Sequence, residues 1–448
     1  MATIKLKRGY DIPLEGVAAA AVADAPAPTT VAIKPRDFHG LIARLDIEEG
    51  DQVKVGTPLF HDKTFTDVLF TSPVSGMVVN VNRGARRAIE EVIVRLDGGS
   101  GADTFEVPGP SAGRDAVLAA LLRSGLFPFL VQRPLARLAD PTATPRDIFV
   151  AVHDTAPLAA RPDMLLAGRE EHFAAGIAAL AALTPGTVHV CIGPDTPPLP
   201  DLSAIGNVQV NTFVGPHPSG NAGVHIHHLA PISGRGDVVW TCCLKGVLMI
   251  GALFATGAID PTVTVAVAGS AVPDPCYLRT VHGAQVDVLG GDLADDQVRF
   301  ISGNPLTGRQ ITPAGYLGFF DSSLTVLPEV VEPELLGWVL PGFTAGSRSR
   351  TFLSTWLEPK RPVRKHTGLH GGERAFIATG IYREVLPMDV HPEFLMKSIM
   401  AEDIPEMEGL GIHEIAEEDV ALCEYICPSK IEWQQITRRG LDFIERET

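Results

Sequence analysis

Near its C-terminus the chain carries two cysteines and a proline spaced for iron–sulfur chemistry, Cys423, Cys427 and Pro428 in the string EEDVALCEYICPSK. Thiolates hold a bacterial-type four-iron cluster in the run C-x2-C-x2-C-x3-C-P. Counting back from Cys427, the other two ligands fall where the sequence has Val420 and Glu417. Valine offers iron no donor atom. The run is degenerate, and no metal is expected on Cys423 and Cys427.

Two segments have the makings of a quinone site. LFPFLVQRPLAR sets Phe127 and Phe129 beside Arg133 and Arg137, and PRDFHG holds Phe38 and His39. An apolar, aromatic-lined groove with one or two fixed donors suits a quinone head group and tail. The competing reading makes these aromatics ordinary core residues capped by surface arginines.

Histidines are densest in HPSGNAGVHIHHLAPI, with His217, His225, His227 and His228. Read as a strand over 224–229, this segment points His225 and His227 to one face and His228 to the other, so at most two neighbours converge on a metal. Histidines hydrogen-bonded to backbone are the expectation. GPSAG matches the hydrolase elbow G-x-S-x-G at Ser111, but the preceding strand is weak, and Ser111 reads better as a helix cap. Closely spaced glycines of the G-x-G-x-x-G or G-x-x-x-x-G-K kind are absent, so the backbone has no loop with which to approach a pyrophosphate.

These residues need positioning elements, and the pattern changes along the chain four times. Residues 31–100 alternate short β-branched runs with glycine turns, which predicts a small twisted β module within 1–104. Its halves, GDQVKVGTPL and SPVSGMVVNV, resemble the barrel-sandwich fold of biotinyl and lipoyl carrier domains. Lys63, the candidate for a carrier arm, stands too far from Ser72 and Pro73 to match a lipoyl hairpin and reads as a solvated charge. Over 105–258, strands at 147–152, 187–192 and 207–213 alternate with Ala-rich helices, which predicts a Rossmann-like α/β domain with a parallel sheet. Residues 259–330 return to short strands of the β-grasp, soluble-ligand-binding type. An exposed connection follows over 331–375, rich in Gly, Ser and Arg, with Arg348, Arg350, Lys360, Arg361, Arg364 and Lys365 against Glu358. A charge run of that kind is either solvated or meets an anionic surface. From 376 to 448 the chain reads as helical and is acidic between Glu402 and Glu424.

A formal net charge of −16 argues against nucleic acid as a partner. Six cysteines make no disulfide framework in so long a chain. Its opening residues show no basic n-region followed by an apolar h-region, so no secretory signal is expected. One stretch, VVWTCCLKGVLMIGALFATG over 238–257, approaches membrane-spanning length but carries Lys245 at its middle, so a strand running into a buried helix is expected.

The strings IKLKRGYDIPLEG, SPVSGMVVNVNRGARR, GPHPSGNAGVHIHHLAPI, SGNPLTGRQ, GIYREVLPMDV and EEDVALCEYICPSKIEW run in order along nearly the whole sequence. Together they resemble the A-subunit family of the bacterial Na+-translocating NADH:quinone oxidoreductases and, more distantly, the C subunit of the Rnf complex and the flavin-binding subunit of respiratory complex I. In place of the GxGGAGFP-type flavin loop of those distant relatives, this chain has SGLFPFLVQRP. The resemblance implies a peripheral protein on the cytoplasmic face of the inner membrane, with no tightly bound cofactor. Its partners are the other members of the complex (B to F), chiefly the membrane-embedded B component. Flavins, a 2Fe–2S centre and NADH belong to those other components, and the complex couples ubiquinone reduction to Na+ export. Phe38, His39, Phe127, Phe129, Arg133 and Arg137 are then candidates for quinone contact. Rival readings are an Rnf-type carrier of flavin or iron–sulfur and a stand-alone hydrolase.

Overall fold

A computed structural model describes residues 2–447 apart from 100, 110, 111, 292, 294–296, 331–340, 344, 345, 359, 360 and 370. The expected fold types are all present. Strands Thr30–Ile33, Ile89–Leu96, Gly76–Arg83 and Gln52–Val53 form one antiparallel sheet, and Ala43–Leu45, Pro58–Asp62 and Leu69–Thr71 a second. The two enclose Leu59, Phe60, Val68, Phe70 and Val78, the barrel-sandwich core.

The α/β sheet runs in the order Ala2–Lys5, Val208–Val214, Val188–Ile192, Ile148–Ala151, Val239–Cys243, Val131–Arg133, Arg137–Leu138. Its first five strands are parallel and the last two antiparallel. The chain's first strand therefore serves this sheet, and its second, Val22–Asp24, pairs in parallel with Cys276–Val281 of the β-grasp sheet. Helices Glu170–Leu183 and Leu244–Thr256 cross closely on one face. Glycines permit the approach, since a Cβ at Gly251 would collide with the His172 carbonyl and one at Gly176 with that of Val247.

The stretch 238–257 is the expected strand and buried helix, Val239–Cys243 and Leu244–Thr256. Among the described residues no helix is long and apolar enough to cross a membrane. The β-grasp sheet has the order Arg309–Ile311, Val298–Ser302, Ser323–Pro328, Thr262–Ala268, Cys276–Val281, Val22–Asp24, with Thr262–Ala268 and Ser323–Pro328 parallel at its centre. Helices Pro392–Ala401, Glu417–Ile426 and Trp433–Glu447 close the chain around Tyr382, Leu395, Leu422, Trp433 and Leu441, in a core shared with Leu14, Val224 and Tyr277 of the earlier modules.

Two local expectations need correction. The histidine-rich segment is a helix, Ala222–Leu229, and not a strand. Asn221 precedes it with extended backbone, and its side chain donates to the Glu418 carbonyl at 2.9 Å, so tertiary contact takes the place of a local cap. The helix Arg114–Ser124 starts after Gly113, which takes the cap position proposed for Ser111, and ends at Gly125 in the left-handed region as expected. Ser111 itself lies outside the described residues, as do Lys360 and part of the 331–375 connection.

Candidate functional site

Phe38, Phe129, Phe319 and Phe320 come from three modules and meet edge to face or tilted, with Phe129 on Phe319 at 4.3 Å and Phe38 on Phe319 at 4.7 Å. Phe70 closes the group against Phe38 at 4.7 Å. Buried charges rivet the same junction. Lys245 donates to the carbonyls of Phe319 at 2.9 Å and Asp321 at 3.0 Å, while Asp37 accepts the Phe319 N–H at 3.0 Å. Lys34 donates to the Tyr316 carbonyl at 2.7 Å. The lysine that argued against a membrane span thus reaches out of its helix into the β-grasp module. Burial lowers its pKa to about 8. His282 packs on Phe319 with neither ring nitrogen hydrogen-bonded, and burial drives its pKa well down.

Phe127 is buried on the other side of its short 3-10 turn, against Trp240 at 5.7 Å. Phe38, Phe127 and Phe129 are all buried.

The basic candidates turn the other way, toward the C-terminal helices. Arg133, 3% exposed, pairs with Glu418 at 2.9 Å and with fully buried Asp419 at 3.5 Å. Arg137 pairs with Glu445. His39, 47% exposed, faces Glu417 at 3.4 Å. Between Arg133 and Arg137, Leu135 and Ala136 take φ of 81° and 47°, and Arg438 pins that left-handed turn by donating to the Leu135 carbonyl at 2.9 and 3.0 Å.

His39 and Gly40 border a cleft of about 730 Å³, lined as well by Thr307, Glu417, Gln434, Arg438 and Glu445. Of the six candidates, His39 alone lines this cleft. Sequence reasoning missed its far wall, because Thr307 and residues between 417 and 446, distant in the chain, supply it.

The degenerate cluster run lies in and just beyond the helix Glu417–Ile426. Val420 is packed in the C-terminal core. Glu417 pairs with His39 and with Arg438 at 3.4 Å. Burial raises the Cys423 thiol well above its usual range, and the Tyr382 hydroxyl sits 3.2 Å from Cys427 Sγ. Two of the four ligand positions are thus spent on packing and ion pairing, and the set does not fit a four-iron cluster.

In the histidine helix, His225 Nε2 bonds the Ser219 carbonyl at 2.9 Å and His228 Nε2 that of Pro387 at 2.8 Å. His227 bonds Glu414 at 2.6 Å. Among the described residues no group of three or more His, Cys, Asp or Glu could hold a metal ion.

Three family models match the chain: the NqrA N-terminal barrel-sandwich hybrid domain over residues 4–97, the NqrA second alpha/beta domain over 112–259 and the NQRA C-terminal domain over 264–312. The A subunit of the Na(+)-translocating NADH-quinone reductase of Serratia proteamaculans is 39% identical, over 99% of this chain and 100% of that protein. The proteins of the same name from Neisseria meningitidis serogroup B and Vibrio parahaemolyticus are 37% and 36% identical, each over 99% of this chain and 100% of theirs. A solved NAD+-reducing nickel–iron hydrogenase in the air-oxidised state aligns with a TM-score of 0.40 at 13% identity over 76% of this chain and 62% of that one, a likeness too slight to imply a shared fold.

Proposed function

The chain belongs to the A-subunit family of the Na+-translocating NADH-quinone reductases, and on that premise we propose that it is a peripheral component without flavin or cluster of its own. It sits on the cytoplasmic face of the inner membrane and docks on the membrane-embedded components, chiefly the B component. Other members of the complex carry NADH, flavins and the 2Fe–2S centre, and the complex reduces ubiquinone while exporting Na+. The observation that carries the cofactor-free reading is the fate of the two substituted ligand positions, Val420 in an apolar core and Glu417 between His39 and Arg438. The aromatic packing of Phe127 and Phe129, where the distant relatives bear a glycine-rich flavin loop, supports it too. Visible absorbance and metal analysis of the purified chain are expected to show neither a flavin band nor stoichiometric iron. A stoichiometric amount of either would overturn the reading.

Its share in quinone binding is assigned to the His39 edge of the 730 Å³ cleft, because Phe38, Phe127, Phe129 and Arg133 are enclosed by their own packing and ion pairs. Apart from Gly40 the cleft is lined by polar and charged residues, so the role is a single polar contact to the quinone head group. In the assembled complex, His39→Ala is expected to weaken ubiquinone affinity roughly fivefold, the worth of about 1 kcal/mol from a single hydrogen bond. Unchanged affinity in a ubiquinone titration would remove the cleft from the pathway.

A further inference from the structure

Eleven large hydrophobic side chains are exposed among the described residues, and six of them, Phe343, Leu353, Trp356, Leu357, Leu369 and Ile377, fall within 343–377. Trp356 and Leu357 are 65% and 70% exposed. The same stretch holds six basic residues against one acid over 348–365, in a chain whose net charge is −16. Apolar and cationic character are thus both concentrated on one short segment of an otherwise acidic molecule.

That segment is tied down from behind. Val363 is buried, its N–H donates to the Pro13 carbonyl at 2.8 Å, and it bridges in parallel to Leu14. Arg348 pairs with Glu384, Lys365 lies over the Tyr425 ring at 5.8 Å, and the Arg374 N–H donates to the Ser429 carbonyl at 2.9 Å. The outward side is ordered locally as well. The Leu353 N–H donates to the Pro341 carbonyl at 3.0 Å, Trp356 Nε1 to the Arg350 carbonyl at 2.9 Å, and the Arg350 guanidinium stacks over the Trp356 ring at 5.6 Å. A stacked Arg–Trp pair on a preformed knuckle is the kind of anchor that carries binding energy at protein interfaces.

We propose that residues 341–343 and 346–358 form the docking surface for another component of the reductase. The patch on that component would be apolar, with a carboxylate placed for Arg350. The inference deepens the docking role proposed above and rests on it. A protein patch suits this surface better than a bilayer does. Among the described residues of the segment the only helix is the four-residue Ser354–Leu357, whereas a chain lying in lipid uses a longer amphipathic helix. The irregular backbone around it carries polar groups that hydrocarbon would leave unpaired.

The test replaces Trp356 and Leu357 together with Asp in the full chain and measures recovery of this protein with the complex, purified through a tag on a membrane-embedded component. Phe394→Asp/Met400→Asp, which alters two exposed hydrophobics outside the segment, serves as the control. Recovery of the W356D/L357D variant is expected to fall roughly tenfold or more while its thermal midpoint stays that of wild type, with the control pair recovered normally. Flotation of the wild-type chain with equimolar phosphatidylglycerol and phosphatidylcholine vesicles is expected to be negligible. Wild-type recovery of W356D/L357D overturns the inference and leaves the docking role standing. Vesicle binding by wild type that this variant loses overturns it in favour of a lipid surface. Failure of the wild-type chain itself to copurify overturns both.

Discussion

Asp419→Ala is expected to destabilise the protein by ~3–5 kcal/mol, read as a shift in the denaturant midpoint. The substitution leaves the Arg133 guanidinium, 3% exposed, with Glu418 alone, whose own side chain is 44% exposed. Asp419 is fully buried and does more than pair. It accepts the Ala416 N–H at 2.9 Å at the head of its helix and stands 3.5 Å from Asn221 Nδ2 at the entry to the histidine helix. One carboxylate therefore joins the C-terminal helices to two parts of the α/β domain, and its removal leaves a buried charge and an N–H short of partners. Asp419→Asn keeps shape and acceptor but loses charge, so its loss should be smaller. High salt should change either effect little, since screening acts mainly on exposed pairs. A shift under about 1 kcal/mol for the alanine variant would mean that Glu418 alone neutralises Arg133.

The second large effect is on pH. His153, His217 and His225 are buried near the ends of the central strands, and burial drops their pKa values to about 4, about 4 and about 3. His225 stacks on His153 at 5.8 Å, and His217 Nδ1 lies 3.1 Å from Thr155 Oγ1. All three are neutral in the folded chain above those values, while the unfolded chain takes up protons below about pH 6.5. Their contribution is therefore fully present above pH 6.5 and is lost as the pH falls toward 4. Each is worth on the order of 3 kcal/mol across that window, so the α/β domain should lose roughly 10 °C or more in its thermal midpoint between pH 6.5 and 4.5. His225→Phe should flatten the slope. A midpoint that stays level over that range in the wild-type chain would show that these rings are hydrated or already paired.

Much of the architecture was legible in the sequence because each module signals through local period. The helix 170–183 and the strands at 147–152 and 187–192 are nearly where the apolar pattern puts them. Lys245 rightly argued against a membrane span, although its partners, the carbonyls of Phe319 and Asp321, could not be foreseen. The segment VHIHHL misleads for a physical reason, since its polar and apolar residues alternate as in a strand while Asn221 ahead of it marks a helix start. The six candidate residues were separable only in three dimensions. Arg133 and Asp419 lie 286 positions apart, and nothing local tells a guanidinium waiting for a ligand from one already held by an acidic helix. Composition did mark the acidic stretch 402–424, and its role as the counter-surface to His39 and Arg133 follows from the fold.

The placement of the first strand also sets a timetable for synthesis. Ala2–Lys5 completes the edge of the parallel sheet beside Val208–Val214, and Val22–Asp24 waits for Cys276–Val281. At a ribosomal pace of about 5–20 residues per second, the opening segment spends tens of seconds outside the tunnel before its neighbour exists. The barrel sandwich in between can form while both ends of that thread hang loose. These two strands, made before the partners they pair with, are therefore sewn in late, and the four modules mature as one fabric.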